Sequence, residues 1–172
     1  MPYHEKQALH QPWIYVVLFA IFGIFLWALI QQVFLGKPFG NHPVPDIILI
    51  ITGIIPIGFL LVLSLGKMHT IVTDEEIKVK INPFMFRWQH IRFSDILSYS
   101  STTYFPIRDY GGWGIRLTLK GSRAYNVRKN RGVRIDLKNG RHIMIGSSRP
   151  DELEAAIHKH SSITPARPVK EE

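Results

Sequence analysis

"IILIITGIIPIGFLLVLSLGKMHTIVTDEEIKVKI", residues Ile47 to Ile81, contains two incompatible patterns and one abrupt switch between them. Ile47–Leu65 is a run of 19 residues without a charge. As a helix it would extend roughly 28 Å at 1.5 Å per residue, close to the hydrocarbon thickness of a bilayer. Beyond Gly66 the pattern changes. Ile77, Val79 and Ile81 alternate with Lys78 and Lys80, the period of two expected of a half-buried strand. Only Gly66 and Lys67 separate the apolar run from the strand signals of "MHTIVT". An apolar helix is therefore joined, almost without a linker, to a β-domain.

Upstream, Trp13–Leu35 is a second uncharged run, of 23 residues, or roughly 34 Å of helix. Neither run shows the polar stripe of a soluble amphipathic helix. The first exceeds a usual signal-peptide core and lacks an A-x-A site, so it reads as a retained anchor. Trp13, Tyr15 and Trp27 suit interface or lipid contact. Pro56, which cannot donate a backbone hydrogen bond, allows a kink between Gly53 and Gly58. The connector "GKPFGNHPVPD", Gly36–Asp46, carries one Lys, whereas Lys67, Lys78 and Lys80 follow the second run. The positive-inside rule then predicts a multi-pass protein with the connector outside and both termini cytoplasmic. No Asp, Glu, Lys, Arg or His lies within either run, which argues against a transport path.

The 172-residue chain has a net charge of +8 and no cysteine. Residues 1–66 are neutral, with Lys6 and Lys37 against Glu5 and Asp46, so the whole excess lies in residues 67–172. A basic half beside an apolar half suggests an anionic partner at a membrane. The lack of cysteine excludes disulfides and thiolate chemistry.

The basic half carries further strand signals. Phe84, Phe86 and Trp88 recur at period two, Leu97–Tyr104 is β-prone, and Ile115, Leu117 and Leu119 alternate with polar residues. Tyr125 and Val127 follow, then Val133, Ile135 and Leu137, with Asn139-Gly140 as a hairpin signal before "RHIMIG". The period then changes: Leu153, Ala156, Ile157 and His160 mark a short helix after Pro150, with Ser147 and Ser148 as candidate caps. The expected fold is a membrane α-helical hairpin plus a small antiparallel β domain, a pleckstrin-homology (PH)-like barrel of about seven strands capped by one C-terminal helix. The expected layout is an N-terminal tail (1–12), a transmembrane hairpin (13–66, with spans 13–35 and 47–65), the PH-like domain (67–160) and a disordered tail (161–172).

"YGGWGIR" (Tyr110–Arg116), "AYN" (Ala124–Asn126), "GV" (Gly132–Val133), "LKNG" (Leu137–Gly140), "IGSSRPDEL" (Ile145–Leu153) and the connector "PFGNHPVPD" resemble an uncharacterised family of bacterial membrane proteins. That family combines two N-terminal transmembrane helices with a PH-like domain. The resemblance extends over nearly the whole chain. It implies the fold and a bacterial cytoplasmic membrane location, and it implies no activity.

Three local features invite a functional reading. Gly111, Gly112 and Gly114 fit neither the P-loop nor the dinucleotide fingerprint, because they open a strand rather than a helix. They read as a structural loop needing positive φ, with Trp113 either folded on the core or presented to lipid headgroups or a partner. "RAYNVRKNRGVR" carries Arg123, Arg128, Lys129, Arg131 and Arg134 and reads as a basic hairpin able to meet anionic lipid. Only Tyr125 interleaves with those charges, too little for a nucleic-acid stacking platform. The turn Thr73–Glu76, where a PH domain would hold a phosphoinositide, is acidic and would repel phosphate.

Ser64–Lys67 spells S-x-x-K without its companion motifs. His158 and His160 face apart on a helix, and His69, His90 and His142 sit on separate strands without metal-ligand spacing. These features predict no enzyme, no cofactor and no metal. The sequence predicts a non-enzymatic module binding protein, itself or anionic lipid headgroups. The alternative is a small accessory subunit of a larger membrane complex. Membrane lipids, a second copy or another membrane protein are the expected partners.

Overall fold

A computed structural model describes residues 2–9, 12–118, 121–161, 163 and 165. The chain forms two compact units, one of residues 10–65 and one of residues 1–9 and 66–172.

The first unit is a helical hairpin. Helix α1 (Pro12–Leu29) continues through one wider turn, Ile30–Phe34, and helix α2 (Asp46–Leu65) returns. Both are long and apolar enough to cross a membrane. Their outward faces remain uncovered, with Val16 68% and Leu65 70% exposed. Phe25 of α1 packs beside Gly53 of α2. Polar groups in the hairpin bond locally. The Thr52 hydroxyl donates to the Ile48 carbonyl at 2.7 Å, and Gln32 ties down the connector through Val44 O (2.7 Å) and Asp46 Oδ1 (2.6 Å).

The second unit is a β-domain built from two sheets and a closing helix. The first sheet has the order β1-β2-β3-β4, from Tyr3–Ala8, Lys67–Val72, Glu76–Asn82 and Gln89–Arg92. A 3-10 turn, Phe93–Asp95, carries the chain into the second sheet. That sheet contains β5 (Ile96–Thr103), β6 (Gly114–Leu117), β7 (Arg123–Asn126), β8 (Arg131–Leu137) and β9 (His142–Gly146), in the order β5-β8-β9-β7-β6. A short helix, α3 (Pro106–Tyr110), precedes β6, and α4 (Pro150–His160) ends the fold. Val72, Ile77, Val79 and Ile81 of the first sheet meet Tyr99, Val133, Ile135 and Ile145 of the second, with Leu153 and Ile157 of α4 completing one core.

Several expectations change. The expected seven or so strands number nine among the described residues, and the two sheets share no strand that would close them into a barrel. Tyr3–Ala8, expected within a tail, is a strand with full register against β2, from Tyr3 opposite Val72 to Ala8 opposite Lys67. Its core-facing residues are Glu5 and Gln7, so no apolar period announces it.

Phe84–Trp88 does not continue a strand; it is a turn in which Phe84 and Phe86 face outward and Trp88 is half-buried. Ile115 and Leu117 are exposed, not in the core, because β6 is an edge strand paired only with β7 among the described residues. Leu119 and most of the expected tail lie outside the described residues.

Helix α4 starts at Pro150 as expected, but its N-cap is Arg149, without a side-chain cap. Ser147 Oγ accepts from the Arg149 backbone N–H at 2.9 Å, just ahead of the helix, and both serines also bond to Glu5 of β1. The β8–β9 hairpin forms at Asn139-Gly140, with Gly140 at φ 78°.

Candidate functional site

The glycine stretch resolves into a helix stop. Asp109 Oδ2 accepts from the backbone N–H of Phe105 at 2.7 Å, holding the start of α3, and Pro106 fills its first turn. At the other end Gly111, in the left-handed region at φ 71°, donates to Ile107 O, and Gly112 donates to Pro106 O. This paired reverse bonding, one residue wider than a Schellman cap, satisfies carbonyls that a helix end otherwise leaves bare. Gly112 and Gly114 also have positive φ. Trp113 between them is half-buried, and its carbonyl accepts from Arg116 Nε at 3.0 Å.

Helix α3 lies over the outer face of the second sheet, where Tyr104, Ala124 and Met144 form a small separate cluster with Tyr110. Here a serine, a histidine and a tyrosine converge. Ser122 Oγ lies 3.0 Å from His142 Nδ1, and Tyr110 Oη lies 3.2 Å from His142 Nε2. The spacing suits a nucleophile and its base, but the surroundings do not. Ser122 is buried, its Oγ already accepts from the His142 backbone N–H at 3.1 Å, and the third member is a tyrosine rather than a carboxylate. The triad fastens α3 to β9. Burial pushes the neighbouring Tyr104 hydroxyl well above its usual pKa.

The basic segment is not a hairpin. β7 pairs with β9 in parallel and β8 pairs with β9 antiparallel, so Arg123 and Arg134 lie on strands separated by β9. The connection Val127–Asn130 crosses the end of β9. Arg123 donates to Gln89 Oε1 at 2.9 Å, Arg131 pairs with Asp151 at 3.2 Å, and Arg134 pairs with Asp136 at 3.0 Å. Arg128 and Lys129 remain exposed at the tip, with Lys129 in the left-handed region at φ 62°.

The opposite electrostatics hold at the β2–β3 turn. A cleft of about 790 Å³ is lined by Asp74, Glu75, Glu76, His90, Arg92 and His160. His160 Nδ1 meets Asp74 at 2.6 Å, and His90 Nδ1 meets Glu76 at 3.0 Å. Burial opposes ionisation of Glu76, yet the hydrogen bonds from His90 and Lys78 prevail and hold its pKa below the usual carboxylate value. Three carboxylates here disfavour a phosphate headgroup. Among the described residues no group of three or more His, Asp and Glu side chains could hold a metal ion.

The most telling polar site in the domain was invisible to sequence patterns. Glu5 is 2% exposed and accepts three hydrogen bonds: from Tyr3 Oη (3.0 Å), Ser147 Oγ (2.6 Å) and Ser148 N (2.8 Å). Gln7, also buried, donates to Gly146 O at 2.8 Å. β1 is thereby latched to the turn between β9 and α4. Burial first, then the Glu5 carboxylate, raises the Tyr3 hydroxyl far above its usual pKa. Just past this latch the backbone N–H of Leu9 donates to Gly66 O at 3.0 Å. The chain therefore leaves the β-domain and re-enters it at one point.

The chain matches no protein-family model and no curated protein.

Proposed function

We propose that this protein is a non-enzymatic interaction module of PH-like type, held at the cytoplasmic face of a bacterial membrane by its helical hairpin. The carrying observation is the Leu9–Gly66 hydrogen bond. A hairpin with both ends fixed to one point of a domain places that domain at the bilayer by two short links, Leu9 to Pro12 and Leu65 to Lys67. Both flanks then share one side of the membrane, and Lys67, Lys78 and Lys80 favour the cytoplasmic side. The marks shared with the two-helix bacterial family support the same reading.

Arg128 and Lys129 are the residues we assign to anionic headgroups. Their connection crosses β9 at Gly146, whose carbonyl is bonded by Gln7, two residues before the exit point. At about 1 kcal/mol per basic residue near an anionic surface, the pair contributes about 2 kcal/mol, enough to orient the domain without anchoring it alone. The closeness of Leu9 and Gly66 makes the test direct. Residues 1–9 joined to 66–172 by a short Gly-Ser linker should give a water-soluble domain. It should sediment weakly with phosphatidylglycerol vesicles and be released by salt. The double variant R128E/K129E should lose that binding. Equal sedimentation of variant and parent would refute the headgroup contact. Stoichiometric foreign subunits in a gentle-detergent preparation of the full chain would favour the accessory-subunit reading instead.

A further inference from the structure

Phe84 and Phe86 are 53% and 93% exposed, on a turn that is otherwise well held. Met85 between them packs against the core, and its backbone N–H donates to Ile81 O at 2.7 Å. The two rings thus face away from the domain on an ordered turn, with Met85 directed inward. An aromatic pair presented to water on a small domain marks a contact surface. The chain itself indicates what covers it. Asn82, the last residue of β3, is the register partner of Lys67, and Lys67 is two residues beyond the end of α2. β3 therefore runs toward the point where the chain enters the β-domain, and the turn lies at that edge of the domain.

Its flanks have the composition of a membrane interface. Lys80 Nζ lies 5.9 Å from the centre of the Trp88 ring, His69 packs edge-on against the same ring, and Arg87 is exposed between Phe86 and Trp88. Phenyl rings partition to the acyl boundary, while Trp, Lys and Arg occupy the headgroup level.

We propose that the turn Pro83–Trp88 is a third membrane contact, inserting Phe84 and Phe86 into the interface of the same bilayer that the hairpin spans. Arg87 and Lys67 then lie at headgroup depth. The proposal rests on the membrane-anchored reading above and adds a site to it. It makes the β-domain a body seated on lipid at a defined edge, not one swinging on its links.

The natural chain has no cysteine, so single-cysteine nitroxide labels can be placed cleanly. Labels at Phe86, at Ile24 within α1 and at Asn139 in the β8–β9 turn would be compared in the full chain, reconstituted in phosphatidylcholine–phosphatidylglycerol vesicles. Collision with dissolved oxygen against a water-soluble nickel chelate reports depth. The expected result is oxygen preference at 24 and 86 and nickel preference at 139. A label at 86 as aqueous as that at 139, with 24 still deep, overturns the insertion and leaves the hairpin reading intact. An aqueous label at 24 overturns both. Spin–spin broadening at 86 that vanishes on dilution with unlabelled chain would assign the rings to a second copy and would also overturn the proposal.

Discussion

Replacing Glu5 by alanine should release β1 from the domain while leaving the apolar core in place. The carboxylate accepts three hydrogen bonds, from Tyr3, Ser147 and Ser148. Bonds to a charged group contribute about 1.5–3 kcal/mol each, so their gross loss is about 4.5–9 kcal/mol. Against this, the alanine variant no longer carries the desolvation of a buried charge, a cost of several kcal/mol. The net expectation is a local destabilisation of about 2–4 kcal/mol, a large part of the stability of a small domain. Glu5 stands opposite Thr70 in the β1–β2 register, so the loss falls first on that ladder. Amide hydrogen exchange of the detergent-solubilised full chain is the assay. Ladder amides of β1 and β2 should exchange about 30- to 700-fold faster in E5A. Amides of β8, which pairs with β5 and β9, should change much less. The E5Q variant keeps an acceptor and should fall between. Exchange in E5A within about twofold of the parent would show that the buried carboxylate is only tolerated and does not hold the strand.

Further outcomes separate core from surface and define pH behaviour. Ile135→Ala, at a fully buried position, should cost about 2–5 kcal/mol, whereas Leu117→Ala, 70% exposed, should stay within about 0.5 kcal/mol, both read from denaturant midpoints of the joined soluble domain. His69 has a pKa below the imidazole value of 6.5, through burial first and then His4, Lys6, Lys67 and Lys80. Its folded form resists protonation, so stability should be full above pH 6.5 and fall as pH drops below it. His69→Gln should flatten that slope in chemical denaturation at graded pH. Glu76, held below 4.5, should add a second loss as pH falls below that value. An impermeant thiol reagent should label a single cysteine at Asn41, in the connector, and not one at Asn139, when applied to intact cells.

Much of the architecture was legible because burial wrote it into apolar periods. Ile77, Val79 and Ile81 alternate in sequence and all lie in the core. Leu153 and Ile157 recur at helical spacing and are buried on α4. Where the period misled, a second influence was acting. Phe84, Phe86 and Trp88 alternate, but they occupy a turn, and Ile115 and Leu117 alternate on an edge strand. Period alone does not say which face an edge strand or turn presents. β1 escaped notice for the converse reason: its core-facing Glu5 and Gln7 are polar and are satisfied by partners about 140 residues away along the chain, at 146–148. No local pattern encodes such a pairing. Among the charges, composition located the basic segment, but the β7-β9-β8 order, which scatters Arg123, Arg131 and Arg134 among separate partners, is a long-range fact.

The β1 strand also imposes an order on biogenesis. It leaves the ribosome before the hairpin, yet its pairing partner β2 emerges only after the whole hairpin, and its latch at Ser147 and Ser148 emerges later still. On the membrane-anchored reading, Tyr3–Ala8 must therefore wait, unpaired, while α1 and α2 are inserted. If the hairpin inserts so that its two flanks are on opposite sides, β1 and β2 are separated by the bilayer. The carboxylate of Glu5 then never reaches its serines, and β2 is left as an open edge. On that reading, completion of the β-domain acts as a readout of correct insertion: only a chain whose anchor has gone in and come back can close its first sheet.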